Sequence, residues 1–254
     1  MIPSDLNMMR FPGRSLSPGI PGEQYVGSDV PAARVDAFFD AGARHVSQLW
    51  DLLVRRLGEA PQPGRVLDFG CGVGRFTLAL ARRCREAIGV DTSADILRLA
   101  RAHAEQRKVT NATFLHADHD LAGIEGAFDV VHSYTVFQHI RPAEGLLLLD
   151  RLVERLTPGG LASIHFTHSR HSQALRIGGG IPRIAPGGSS TQPRVWPMFH
   201  YPVDDVLAVF DRRGCDVLTK DPTDHAGHLG SMLIARRRGT PRPVDAGVYL
   251  SSES

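Results

Sequence analysis

One stretch of the chain concentrates residue types suited to holding a nucleotide: Val66-Leu-Asp-Phe-Gly-Cys-Gly-Val-Gly-Arg-Phe-Thr77. A hydrophobic run leads into Gly70, Gly72 and Gly74, and a helix-forming segment follows. Residues without a side chain let the backbone bend sharply and lie against a ligand. The new helix then offers unpaired N–H groups to it. Alone, this turn suits a nicotinamide cofactor, a flavin or S-adenosylmethionine. Asp91 ends the next apolar run, 21 positions beyond Gly70, where a carboxylate can hold both hydroxyls of an adenosine ribose. Both cofactor classes survive that observation. Asp68 separates them, because a carboxylate within the glycine run repels a pyrophosphate and suits a ligand carrying an ammonium and a sulfonium. S-adenosylmethionine is the cofactor expected.

The elements that must position these residues alternate regularly. A helical stripe (Val35, Phe38, Phe39, Val46, Leu49, Leu53 and Leu57) begins after Pro31 and stops at Gly58. Strands are expected over 65–69, 87–90, 112–115, 128–133 and 161–166, with helices following the first, the second and the fourth. Ser93 is placed to cap the helix over 94–107, and Pro142 to open another. Thr157-Pro-Gly-Gly160 reads as a turn. A helix over 203–213 and strands at 215–219 and 229–236 complete the pattern. This alternation predicts an α/β fold, doubly wound around a mostly parallel sheet with helices on both faces.

Residues 1–30 read as a flexible arm, 31–236 as one domain, and 237–254 as a disordered tail. Within the domain, 31–58 would cap the site, and the Gly- and Pro-rich 167–202 reads as an insert on the substrate side. Its Val195-Trp-Pro-Met-Phe-His-Tyr201 cluster would serve as an acceptor wall or lid, or as an anchor tying the segment down.

Composition sets outer bounds. The 254 residues, 42% of them hydrophobic, suit one substantial core, and no apolar run reaches the roughly 18 residues of a membrane span. Twenty-nine basic residues face 27 acidic ones, and Arg82-Arg83, Arg212-Arg213 and Arg236-Arg237-Arg238 are short and scattered. No basic nucleic-acid face is expected. Cys71, Cys84 and Cys215 are odd in number and lack metal-like spacing. With no apolar secretory core near Met1, a cytoplasmic location is the expectation. Oligomeric state is not legible.

The order of several segments carries a family resemblance. Val66–Thr77, Gly89-Val-Asp-Thr-Ser93, His116-Ala-Asp118, Phe128-Asp-Val-Val-His-Ser-Tyr-Thr-Val-Phe-Gln-His139 and Leu156-Thr-Pro-Gly-Gly160 together resemble the class I, Rossmann-like S-adenosylmethionine-dependent methyltransferases. The likeness covers roughly residues 60–166, and 203–236 fit more loosely. It implies a seven-stranded sheet in the order 3-2-1-4-5-7-6 with strand 7 antiparallel. It also implies that Gly70, Gly72 and Gly74 pass close to the methionine part of the cofactor, with Arg75 near its carboxylate. Asp91 would hold the ribose, and Thr92 would lie beside the adenine. Asp118 would take the adenine amino group, supported by the His119 backbone. Tyr134 and Gln138 would lie near the methionine moiety. Family members that methylate exocyclic base amines carry Asp/Asn-Pro-Pro-Tyr/Phe where this chain has Ser133-Tyr-Thr-Val-Phe137.

The function this implies is methyl transfer to a small-molecule or sugar-like acceptor, with oxygen favoured and nitrogen or carbon open. An oxygen acceptor benefits from a general base. His139 is the first candidate, with a helix-capping role as its structural alternative, and His168, His171 and His200 follow. His165, His168 and His171 repeat every three residues, and His116-Ala-Asp-His-Asp120 is ligand-like, but the first lies in a strand and no metal is expected. Two rivals remain. One is an NAD-dependent oxidoreductase on a similar fold, which lacks a Tyr-x-x-x-Lys pair here because Gln138 follows Tyr134. The other is a non-catalytic module that kept the cofactor fold for binding.

Overall fold

The computed structural model describes residues 32–117, 121, 123–170, 198–225 and 228–239. The arm, Asp118, His119, His171, the Val195-Trp-Pro end of the aromatic cluster and residues 240–254 of the tail lie outside them. The described residues form, in chain order, helix α1 (Ala32–Leu57), β1 (Arg65–Phe69), α2 (Arg75–Ala81), β2 (Glu86–Asp91), α3 (Ala94–Gln106) and β3 (Ala112–His116). Then come β4 (Phe128–Ser133), a 3-10 turn at Phe137–His139, α4 (Pro142–Glu154), β5 (Leu156–Arg170), α5 (Val203–Arg212), β6 (Cys215–His225) and β7 (His228–Arg237). The seven strands form one sheet in the order β3-β2-β1-β4-β5-β7-β6. β1 to β5 pair in parallel, and β7 runs antiparallel between β5 and β6. No helix among the described residues is long and apolar enough to cross a membrane.

Strand periodicity divides the core between the two faces of the sheet. Leu67, Val131, Ala162 and Ile164 face α4 and α5, where Leu149, Leu152, Val153, Val209 and Phe210 are buried. Val66, Val130 and Leu161 face the other way, toward Val46, Leu49, Trp50 and Leu53 of α1 and Ala79 and Leu80 of α2. Phe38 and Phe39 of α1 meet Ile96, Leu97 and Leu99 of α3 on that same side. The stretch before Gly58 is thus a single 26-residue helix. A Cβ at Gly42 would run into Arg75, so the glycine lets α1 and α2 approach closely.

Two departures from the expected elements have clear causes. Ser93 caps α3 through Ile96 N–H as expected, but Thr157-Pro-Gly-Gly160 is part of β5 and not a turn. Gly159 takes φ +80°, and the register with β4 shifts between Phe128 and Val130. The glycine that signals a turn absorbs a bulge inside a continuing strand. Strands β6 and β7 are also longer than the apolar runs that announce them, because backbone pairing carries on to His225 and His228.

Ion pairs tie α5 to α4. Arg213 forks onto Asp150 and reaches Glu154 at 2.8 Å, while Arg212 lies 3.0 Å from Asp150. The Arg213 guanidinium, with Arg212 beside it, holds the Asp150 carboxyl below its usual range. A carboxyl depressed by folding contributes stability that is present above its unfolded pKa, about 4, and lost as pH falls through the folded value. Asp150→Asn is expected to lower stability at neutral pH and to flatten the acid limb below about pH 4. Urea unfolding at successive pH values measures both, and an unchanged acid limb would show that the pair contributes nothing.

Candidate functional site

The sheet reverses its winding between β1 and β4: β2 and β3 lie to one side, and β5, β7 and β6 to the other. In open α/β sheets the ligand crevice forms at the carboxyl ends of the strands flanking such a reversal. β1 ends there in the Gly70–Gly74 turn, β2 in Asp91 and β4 in Ser133.

The turn is held from below. The N–H groups of Gly70 and Cys71 both donate to the Val90 carbonyl, at 2.8 and 2.9 Å. Gly72 N–H donates to Asp91 Oδ2 at 3.0 Å, and Ser93 N–H to Asp91 Oδ1 at 3.0 Å. Gly70 has φ +72°, and a Cβ on it would press into the methyls of Val136. Gly74, the residue before α2, has φ +86° and backs onto the Phe114 ring. Burial pushes the Asp91 carboxyl up, opposed by the N–H groups of Ser93, Gly72 and Thr92.

Asp68 turns inward. It is 2% exposed, accepts the Thr77 hydroxyl at Oδ2 (2.6 Å) and meets His132 Nδ1 at Oδ1 (2.9 Å). The sequence reading sets this carboxylate facing a ligand; the structure gives both of its oxygens protein partners. Its charge still lies under the turn: after burial itself, Asp68 and Asp91 push the Cys71 thiol up.

Arg75 opens α2, with its guanidinium over Phe38 and Phe76 at 4.4 and 4.2 Å from the ring centroids. Thr92 is exposed, and its carbonyl lies 3.0 Å from His116 Nε2. Just beyond β4, the half-buried Tyr134 packs on His45 of α1 (4.4 Å), Phe76 (5.4 Å) and His165 of β5 (5.0 Å). Burial pushes its phenol up, opposed by Arg75. Thr135 follows at φ +61°, a left-handed conformation that β-branched residues seldom adopt and that recurs at functional sites.

Gln138 is buried, with Nε2 3.2 Å from His139 Nε2, and its backbone carbonyl accepts Phe199 N–H at 2.7 Å. His139 does not cap the next helix, whose N-cap is Arg141. The other candidate bases sit elsewhere. His168 pairs with Ser169 near the end of β5 at 3.3 Å, and His200 stacks on His228, with Nε2 3.2 Å from Nδ1. Tyr201 anchors the described end of the insert, buried against Phe166 and Phe137 with its hydroxyl on the Ile140 carbonyl at 2.8 Å. Among the described residues no three His, Cys, Asp or Glu side chains cluster as metal ligands.

The structure therefore brings the glycine turn, Asp91, Asp68, Arg75 and Tyr134 together near the carboxyl ends of β1, β2 and β4. Three residues that sequence reasoning passed over belong with them: His45, Thr77 and His132. A histidine at a core-facing position of the apolar run Phe128–Ser133 was the available signal for His132, since buried polar groups need partners.

Comparison with known proteins agrees with this fold. Residues 66–160 match the family described as a methyltransferase domain. A ubiquinone biosynthesis O-methyltransferase of Cereibacter sphaeroides is 33% identical over 167 residues, which is 64% of this chain and 62% of that protein. A 23S rRNA (uracil(1939)-C(5))-methyltransferase of Stenotrophomonas maltophilia is 50% identical over 60 residues, covering 22% of this chain and 14% of that protein. The chain thus spans less than two thirds of the length of these relatives. Among solved structures, the magnesium protoporphyrin IX methyltransferase of Synechocystis with bound S-adenosylhomocysteine superposes with a TM-score of 0.59. That pair is 21% identical and covers 84% of this chain and 90% of the other. Residues 66–160 thus carry a methyltransferase domain, and the sheet order is that of the class I, Rossmann-like methyltransferase fold.

Proposed function

We propose that this chain binds S-adenosylmethionine and transfers its methyl group to a small-molecule acceptor, with oxygen the favoured atom. The observation that carries the reading is the pair of carboxylates, Asp68 and Asp91, beneath a glycine turn at the sheet's reversal point. That floor is negative, which fits a ligand with an ammonium and a sulfonium and opposes a pyrophosphate. Bound there, the cofactor supplies a methyl group already activated for in-line displacement. The chain's part is to orient and to exclude water. Asp91 is assigned to the ribose, Thr92, Asp118 and His119 to the adenine, and Gly70, Gly72, Gly74 and Arg75 to the methionine part. Tyr134 and Gln138 border the methyl-bearing end, and His139 is the candidate base. Helix α1 and the 167–202 insert are proposed to build the acceptor side.

Two observations support a small acceptor over RNA. The match to an enzyme named for ubiquinone biosynthesis spans 62% of that protein, whereas the matches to rRNA enzymes span 14% and 28% of theirs. Two of the three arginine clusters also pair with acids of the fold: Arg212 and Arg213 with Asp150 and Glu154, and Arg238 with Asp216. Calorimetric titration with S-adenosylmethionine, S-adenosylhomocysteine and NAD tests the cofactor. A screen of phenols, sugars and RNA with methyl-labelled cofactor then tests the acceptor. Binding of NAD in place of the sulfur nucleotides overturns the reading, and labelling of RNA alone overturns its acceptor half.

A further inference from the structure

Asp68 and His132 are register partners across β1 and β4, the two strands between which the sheet reverses. Both side chains face α1 and α2, as Val66 and Val130 do two residues earlier on the same strands. The pair therefore bridges β1 and β4 beside the glycine turn, and it is almost wholly dry, with Asp68 2% and His132 0% exposed. Thr77, on the helix that leaves the glycine turn, closes the third side through Asp68 Oδ2.

We propose that His132 is a positioning residue that sets the charge of this floor, and with it the affinity for S-adenosylmethionine. The inference rests on the methyltransferase reading above. An ionised Asp68 only accepts hydrogen bonds, so a proton on His132 Nδ1 is the one shared between them. His132 Nε2 is buried and has no hydrogen-bond partner among the described residues. With Nε2 unprotonated, the pair carries one negative charge beneath a ligand that has two positive groups. A proton on Nε2 makes the pair neutral and removes that attraction.

The groups around His132 are few. Asp68 faces it from β1, and His45 of α1 meets it edge-on at 5.7 Å. Phe76 of α2 packs at 5.2 Å, with the Arg75 guanidinium over the Phe76 ring, and Ser163 lies opposite on β5. Tyr134 reaches it through His45 and Phe76, while Cys71 and Asp91 feel the charge of Asp68. Among the described residues Asp68 is the acid that meets the ring, at 2.9 Å from Nδ1.

Titrating the full chain with S-adenosylmethionine between pH 5.5 and 8 decides the matter. The native protein should bind about tenfold more weakly at the acid end, the loss expected when one nearby charge is neutralised. His132→Gln can still donate an amide N–H to Asp68 but cannot take up a proton, so its profile should be flat. S-adenosylhomocysteine, without the sulfonium, should show the smaller pH effect. Binding heats of the native chain in buffers of different ionisation enthalpy should report a proton released at the acid end, which requires no variant to fold. A profile shared by the native and His132→Gln proteins, or no proton release, overturns the proposal and leaves the methyltransferase reading standing. Failure of the native chain to bind either sulfur nucleotide at any pH overturns both.

Discussion

Asp91→Ala is expected to weaken binding of S-adenosylmethionine and S-adenosylhomocysteine by about 100-fold or more in calorimetric titration. The carboxylate has two jobs that fail together. It accepts the N–H groups of Gly72 and Ser93, at 3.0 Å each, and so fixes the glycine turn relative to β2. It is also the group assigned to the cofactor ribose. Hydrogen bonds to a charged partner contribute about 1.5–3 kcal/mol each, and about 3 kcal/mol is a hundredfold in affinity. Asp91→Asn should fall between the native protein and the alanine variant, because one amide oxygen remains while its NH2 group opposes a backbone donor. Unchanged affinity in Asp91→Ala would remove the residue from the site.

Gly70→Ala is expected to cost about 2–5 kcal/mol of folding stability, read from the midpoint of urea unfolding. A Cβ in the left-handed region costs about 1–2 kcal/mol, and forcing it into the Val136 methyls adds about 1–3 kcal/mol. With φ at +72° and Val136 in direct line, both terms act here. Against a net stability of about 5–15 kcal/mol, such a loss is large. Val136→Ala in the same chain should recover the packing part and leave the conformational part. If the double variant were no more stable than Gly70→Ala alone, crowding against Val136 would not be the cause.

What could be read without coordinates follows from how local each feature is. The strand Arg65–Phe69, its glycine turn and Asp91 were legible because chain, turn and carboxylate are close in sequence and each has a conformational signature. The sheet order was not derivable from periodicity; it came from resemblance, since alternation of strands and helices does not say which strands are neighbours. Thr157-Pro-Gly-Gly160 misled because glycine announces a left-handed residue without saying whether the strand stops or bulges. Asp68 could be recognised as unusual, but its orientation could not, because its partner His132 lies 64 residues away and meets it only through strand register. His45 was hidden for a similar reason: its helical stripe told of a buried face, not that one imidazole would reach Tyr134.

The strand order has a consequence for how the molecule is made. β7 lies between β5 and β6 and pairs with both, so β6, although synthesised first, has no place in the sheet until β7 arrives. While residues 228–237 are still within the ribosome, β5 presents a bare hydrogen-bonding edge bearing Ile164 and Phe166, residues that end fully covered. Such an edge is a template for pairing with another nascent chain. Helices α1 to α4 and strands β1 to β5 can assemble around the crevice as they emerge, but the sheet is sealed only by the hairpin that closes at His225 and His228. Slow synthesis or truncation between these two events is where this chain is most exposed to aggregation.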